Sequence, residues 1–418
     1  MTGQILIAGA GEAGLAAAIT LRELGYPGTV TLVGAEPEGP YQRPPLSKEF
    51  LTAATPPAIP ELRAAQFYAE HRIDLVRGTG VRTATWTRTG GVAGLGDGRE
   101  LPFDAMVLAT GSVPLPLPVP GAGLPGIHRL RTLADAHALR DQLEHATRVV
   151  VVGGGFIGLE VAAAARTKGA SVTVVEAADR LLARVVAEPV SRFVREHHAA
   201  AGIRFLLHTR VTGLVAADSA AGGPRVGSVV LATPTGEVRL AADLVVVGVG
   251  ARPVTELAAH LGVTDERGIV VDAHARTADP RVVAAGDCTV QPHPRDPDRL
   301  IRLESVHNAT EQGRQAAHSL LGKPHPPRGV PYFWSNQGEL KLQIAGLSDD
   351  HDDLVVRTDA DRCTVLYYRS GALIAADSVN HPRDHLTVKR ALASAATIDP
   401  ARAADPAAPL KTLVTPLR

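Results

Sequence analysis

The sequence predicts an α/β protein: two Rossmann-like nucleotide-binding units followed by a small α+β unit. Three observations predict it. A strand, a GxGxxG turn, a helix, a second strand and an acid follow one another from residue 4. The same order returns from residue 148. Beyond residue 331 the pattern does not return, and four short strand-like runs and a final helix follow. One glycine-rich turn can arise from packing alone, so two complete copies carry far more weight than either.

The first copy opens with the apolar run 5–8, which suits a buried parallel strand. Gly9 allows the tight turn, Gly11 lets backbone approach a pyrophosphate, and Gly14 lets helix and strand pack closely. The helix over 15–24 would then present free N–H groups to phosphate. A strand over 29–33 ends at Gly34-Ala35-Glu36, where a carboxylate accepts hydrogen bonds from ribose hydroxyls. Residues 40–48, PYQRPPLSK, form a proline-stiffened loop with two cations, Arg43 and Lys48. A helix and a strand over 73–76, a hairpin around Asp97-Gly98, and a strand over 105–109 closed by Thr110-Gly111 complete the first segment. The proline-rich stretch 114–120 marks a domain crossing.

After a helix over 133–143 comes the second copy. A strand over 148–152 leads to Gly153, Gly155 and Gly158, a helix over 159–167, and a strand over 171–175 ending at Glu176. A carboxylate there favours free ribose hydroxyls over a 2′-phosphate, so NADH is expected over NADPH. Arg180 is read as a solvated cation. An apolar strand over 244–247 precedes a turn containing Gly250, and the segment 277–287 ends in Gly286-Asp287. A helix over 309–321 and a proline-rich linker over 322–331 follow. Strands over 340–345, 354–357, 363–368 and 373–376 and a helix over 385–395 close the chain.

Composition excludes several function classes. Lys plus Arg and Asp plus Glu both total 43, which gives no basic footprint for nucleic acid. The two cysteines, Cys288 and Cys363, form neither a disulfide framework nor a local dithiol, and argue for a reducing, cytoplasmic compartment. No secretory signal or membrane span is expected. The acidic run 349–353 is read as a solvated turn, and His293, His325, His197 and His198 as surface residues, so no metal is expected.

Taken together, PYQRPPLSK, ATG at 109–111, GGGFIGLEVAA at 153–163, Gly286-Asp287, ESVHNA at 304–309, FWSNQ and KLQIAGL narrow the reading. Across essentially the whole chain they resemble the FAD-dependent pyridine-nucleotide oxidoreductase superfamily, glutathione-reductase-like in fold. More narrowly, the chain resembles the NADH-dependent ferredoxin reductases of bacterial oxygenase systems. The resemblance implies an FAD domain in two segments, 1–113 and 245–325, around an inserted NADH domain, 114–244, and a C-terminal interface domain, 326–418. It implies FAD contacts from Ala13, Arg43, Lys48, Val81, Arg131, Asp287 and Val306, with Ala109, Thr110, Gly111 and Gly286 around them. Lys48 would pair with Glu160, while Glu304 and Trp334 would line the flavin ring. Gly153, Gly155, Phe156, Ile157, Gly158, Glu160, Glu176 and Gly250 would hold NADH. Relatives often carry an acid where this chain has Ala35, so Glu36 stands one position late.

The implied reaction passes a hydride from NADH to FAD and then single electrons to an iron–sulfur ferredoxin serving a haem monooxygenase or ring-hydroxylating oxygenase. No cysteine precedes Cys288, so a disulfide route is not expected. Docking is expected near Trp334, Arg302, Arg314, Lys323, Arg328 and Lys341. Alternatives are a rubredoxin reductase, an NADH oxidase or an NADH-sensing regulatory flavoprotein. A monomer or weak homodimer is expected.

Overall fold

Five parallel strands organise the first of two compact units in the computed structural model, which describes residues 3–218 and 223–417. Their order is Val282–Ala284, Ala105–Leu108, Gln4–Ala8, Thr29–Val33, Ile73–Val76. Both faces of such a sheet must be covered, which is why Ile5, Leu6, Ile7 and Ala8 are all buried. One cover comes from the helices Glu12–Glu23 and Val306–Leu320. They approach closely because Gly313 carries no side chain: a Cβ there would stand 2.2 Å from the Ala13 carbonyl oxygen. A three-stranded antiparallel meander, Val81–Trp86, Gly91–Leu95 and Glu100–Phe103, packs on the other face. This unit comprises residues 1–42, 58–113 and 251–328.

The second unit comprises residues 43–57, 114–250 and 329–418. Its parallel sheet runs Arg204–Leu206, Ser171–Val175, Arg148–Val152, Leu244–Val247, Ile127–His128. Leu244–Val247 therefore belongs wholly to this sheet, and the junction expected between residues 244 and 245 would cut a strand. The chain crosses after Gly250 instead. The loop 43–57 also packs with this unit.

The C-terminal segment forms a five-stranded antiparallel sheet in the order Tyr332–Gln337, Leu340–Gly346, Ala372–Val379, Cys363–Arg369, Asp353–Thr358. The aromatic run 332–335 is thus an edge strand, a role its sequence did not announce. The sheet shares one apolar core with the second nucleotide fold: Leu159, Leu181, Val190 and Val194 pack with Leu340, Leu342, Ile344, Tyr367 and Val379. Among the described residues no helix is long and apolar enough to cross a membrane.

Candidate functional site

The two glycine turns fold alike. Gly9 has φ +120° and Gly153 φ +106°, values that L side chains rarely adopt. Gly9 N–H donates to Val33 O at 2.9 Å, and Gly153 N–H to Val175 O at 2.8 Å. Side chains are excluded at both: a Cβ would lie 2.0 Å from Ala109 O at Gly9 and 2.4 Å from Gly248 O at Gly153. Gly14 and Gly158 pack the helices onto the turns, with Cβ positions 1.9 Å and 2.2 Å from the Gly9 and Gly153 oxygens. The middle glycines differ from these. A Cβ at Gly11 or Gly155 would meet no protein atom within 4 Å. Both residues are helix N-caps without a side-chain cap. Uncapped N–H groups beside a side-chain-free approach suit a pyrophosphate, so the residues present fit FAD on one turn and NADH on the other.

Around the first turn, the carboxyl ends of three neighbouring strands gather the expected residues. Ala109-Thr110-Gly111 leaves Ala105–Leu108 against Gly9, and Thr110 Oγ1 donates to Val254 O at 2.6 Å. Gly286 (φ +89°) leaves Val282–Ala284, where a Cβ would stand 3.1 Å from that of Ala13. Ser112 Oγ donates to Asp287 Oδ2 at 3.2 Å. Val306 opens the helix Val306–Leu320, whose N-cap Ser305 accepts from Asn308 N–H at 3.0 Å. At the acidic end, Gly78 N–H donates to Glu36 O, and a Cβ at Gly80 would stand 3.4 Å from that of Ala35, which sets Val81 beside this corner. Tyr41 Oη donates to Glu36 Oε2 at 2.5 Å.

At the second turn the acid touches the glycines themselves. Glu176 Oε2 accepts from Gly154 N–H at 2.6 Å and Oε1 from Ala178 N–H at 2.8 Å. Glu176 thus braces the turn, and each oxygen keeps a further lone pair for a ribose hydroxyl. The nearby Arg180 is not the solvated cation expected. Its guanidinium donates to Val186 O at 2.7 Å and Ala183 O at 2.8 Å, which occupies it with the protein's own carbonyls. Ile157 and Val249, adjoining Gly158 and Gly250, stay 44% and 36% exposed. Exposed apolar side chains on a nucleotide turn suit contact with a flat ring. Phe156, next to Gly155, turns away and packs on Phe333 with ring centroids 4.4 Å apart.

The same unit assembles the charged pair. Lys48 Nζ lies 2.8 Å from Glu160 Oε2, with side chains 13% and 5% exposed. Ser47 Oγ also donates to Glu160 Oε2, and Ser335 Oγ donates to Oε1 at 2.6 Å. Ser47 and Ser335 were not singled out from sequence, although each adjoins a residue that was, Lys48 and Trp334. Arg43 Nη1 donates to Arg131 O at 2.7 Å, which brings these two predicted residues together. Trp334 stacks on Tyr332 at 6.0 Å, and Lys389 Nζ sits 3.6 Å above the Tyr332 ring.

Several expectations are corrected. Arg328 is not a free docking cation: it donates to Gln291 Oε1 at 2.5 Å and to Gln315 Oε1, inside a buried amide network that continues through Gln312 to Gly286 N–H. Burial depresses its pKa. Glu304 is tied to Arg302 by an ion pair. Arg314 pairs with Glu311 at 2.8 Å, and Lys323 donates to Leu24 O at 2.6 Å. His198 and His293 are buried, not surface residues. His198 faces inward from an amphipathic helix, and His293 Nδ1 accepts from Arg295 N–H at 3.2 Å.

Both cysteines are buried in apolar surroundings. Cys288 belongs to the core with Leu6, Met106 and Leu108, and burial pushes its thiol up. Burial, reinforced by nearby Asp377, pushes Cys363 up to about 12.

The family pattern described as pyridine nucleotide-disulphide oxidoreductase matches residues 3–313, and one described as reductase C-terminal matches residues 332–414. Rhodocoxin reductase of Rhodococcus erythropolis is 44% identical over 403 residues, spanning 96% of this chain and 92% of its own. Among solved structures, the covalent putidaredoxin reductase–putidaredoxin complex matches with TM-score 0.89 at 38% identity, covering 98% of this chain and 97% of that one. The ferredoxin reductase for the CYP199A2 system from Rhodopseudomonas palustris matches with TM-score 0.88 at 40% identity, covering 96% and 97%.

Proposed function

The chain belongs to the pyridine nucleotide-disulphide oxidoreductase family, and on that premise we propose that it is an FAD-containing reductase that oxidises NADH and delivers electrons singly to an iron–sulfur ferredoxin. Bound FAD would supply the conversion between a two-electron donor and a one-electron acceptor. Gly9, Gly11, Gly14, Ala13, the turn 109–111, Gly286, Asp287 and Val306 would hold it, with Ala35, Glu36 and Val81 at the adenosine end. Gly153, Gly155, Ile157, Gly158, Glu176 and Gly250 would hold NADH. The Lys48–Glu160 pair would orient the reacting end of the nucleotide, with Arg43 and Arg131 alongside. The domains proposed are an FAD domain in two segments, an inserted NADH domain ending near Gly250, and a C-terminal interface domain.

One observation carries the choice of acceptor. Both cysteines are free and buried, and burial raises the pKa of both thiols. A buried thiol with no cysteine partner and a disfavoured thiolate is poorly suited to relay electrons through a disulfide. Electrons reaching this protein must therefore leave directly to an external carrier, and the likeness to a reductase captured with putidaredoxin names the kind of carrier. Two unpaired cysteines also support a cytoplasmic setting. The test is anaerobic: NADH is mixed with the FAD-loaded protein and a [2Fe–2S] ferredoxin, and reduction of cytochrome c is followed. Turnover that needs ferredoxin supports the reading. In a parallel assay in air, equal NADH consumption without ferredoxin, with dioxygen reduced to peroxide, would replace it with an oxidase.

A further inference from the structure

Glu160 ends a longer buried chain than an ion pair requires. Ser335 Oγ, which donates to Glu160 Oε1, lies 3.1 Å from Gln337 Nε2, and Gln337 Oε1 lies 2.9 Å from His198 Nε2. Exposure along the chain is 5% for Glu160, 0% for Ser335, 1% for Gln337 and 2% for His198. Three segments far apart in sequence supply it. Glu160 stands on the helix Phe156–Thr167 and His198 on the helix Glu188–Ala200. Ser335 and Gln337 are alternate residues of the edge strand Tyr332–Gln337, so they share one face.

The chemistry fixes the direction of every proton. An ionised carboxylate only accepts, so Ser335 Oγ–H points at Glu160. The serine oxygen then accepts from the Gln337 amide nitrogen, which leaves the Gln337 carbonyl toward His198. His198 must carry its proton on Nε2. Burial lowers its pKa, which agrees with a neutral ring. All three groups donate along one direction, toward the carboxylate.

We propose that Ser335, Gln337 and His198 are positioning residues that lock Glu160, and through it Lys48, for the oxidation of NADH; this rests on the role the proposed function gives that pair. Glu160 receives Lys48 and Ser47 on one oxygen and Ser335 on the other. Removing the Ser335 bond frees the carboxylate to rotate and the ammonium to follow it. The C-terminal segment, whose sequence has no GxGxxG pattern, thereby completes the charged pair of the nucleotide fold.

The test uses the FAD-loaded protein and Ser335→Ala, Gln337→Leu and His198→Phe variants in anaerobic stopped flow. Losing a hydrogen bond to a charged group corresponds to about a tenfold fall in the limiting rate of flavin reduction for Ser335→Ala. The NADH dissociation constant from the same saturation curve should stay within about twofold, a split that general destabilisation would not produce. Gln337→Leu and His198→Phe should give smaller losses in that order, and Ser335→Thr should recover the rate. Independently of FAD, ¹⁵N-histidine spectra should show His198 protonated on Nε2, with the signal changed by Gln337→Leu. A His198 proton on Nδ1, or a folded Ser335→Ala protein reduced at the wild-type rate, overturns the relay alone. A wild-type protein that NADH does not reduce overturns the proposed function as well.

Discussion

The two glycine turns share a backbone and differ in what surrounds it. Gly9 and Gly153 have matching φ angles and matching bonds to the second strand. Around the first turn, the acid lies two residues beyond the strand-end glycine and accepts from the Tyr41 hydroxyl. Around the second, Glu176 lies at the strand end and grips Gly154 N–H directly. The first helix starts with Glu12, whereas the second starts with Phe156, packed on an aromatic of the C-terminal sheet. The same strand–turn–helix physics therefore makes two turns suited to phosphate, and the proposed assignment of a different nucleotide to each rests on the flanking side chains.

The sharpest way to break this assignment is at the middle glycines. Neither Gly11 nor Gly155 has protein within 4 Å of a built Cβ, so alanine should leave folding intact and collide only with a ligand. Gly11→Ala is expected to purify with little bound flavin. Gly155→Ala should keep its flavin and raise the NADH KM at least about tenfold. Flavin absorbance and steady-state kinetics check both. Loss of flavin from Gly155→Ala would reverse the roles of the turns. Gly9→Ala and Gly153→Ala are folding variants instead, because each Cβ would strike a carbonyl oxygen.

The second turn also differs in sharing its core with the C-terminal sheet, and Asp377 measures that dependence. Tyr367 Oη donates to Asp377 and accepts from Ala187 N–H at 3.0 Å, at the start of the helix Glu188–Ala200. Asp377 is fully buried, its Oδ1 has no partner, and burial raises its pKa from 3.8 to about 7. The folded state keeps a proton that the unfolded chain releases above 3.8. This contribution to stability is full below that pH, declines as pH rises through 7 and stays lost above it. Asp377→Asn should then be more stable than wild type at pH 8 by up to roughly 4 kcal/mol, at 1.36 kcal/mol per unit, and similar at pH 4. Urea unfolding at the two pH values checks it. A pH-independent difference would mean that Asp377 titrates alike in the folded and unfolded chain.

Charge at the two acids should separate the turns further. Glu176→Gln removes the repulsion toward a 2′-phosphate, and the ratio of kcat/KM for NADH over NADPH is expected to fall about tenfold. Glu36→Gln should change FAD affinity by less than about threefold, because Tyr41 already occupies one of its oxygens. Equal efficiency of the two nucleotides in the wild type would remove Glu176 as the selector.

What could be read from sequence was local. Each glycine turn lies within about ten residues of its strand and helix, so spacing alone implies its geometry. The Lys48–Glu160 pair required the resemblance, because 112 positions separate the partners. Ser335, Gln337 and His198 stayed hidden for the same reason, and His198 was misplaced on the surface because a lone histidine on a helix does not show which face packs. Arg328 was misread because a cation in a proline-rich linker looks solvated. Its amide partners, Gln291 and Gln315, come from a strand and a helix that meet only in the fold.

The smallest expected effect lies at the first residue of each helix. Glu12 lines a cavity of about 140 Å³ with Leu15, Ile19, Leu62 and Arg63. A helix N-terminus favours a carboxylate, and Arg63 does too, yet burial outweighs both and raises the Glu12 pKa above 4.5. The folded state thus holds the Glu12 proton more tightly than the unfolded chain does. Its contribution to stability is full below pH 4.5 and is lost as pH rises through the folded value. Glu12→Gln carries no such proton, so its melting temperature should pull ahead of wild type over that interval and hold a small constant lead above it. Phe156→Leu, at the equivalent position of the second helix, should shift the melting temperature equally at every pH, since nothing there titrates. If the Glu12→Gln and wild-type curves stay parallel across the interval, the helix N-terminus and Arg63 offset the burial, and the two helix starts are electrostatically alike after all.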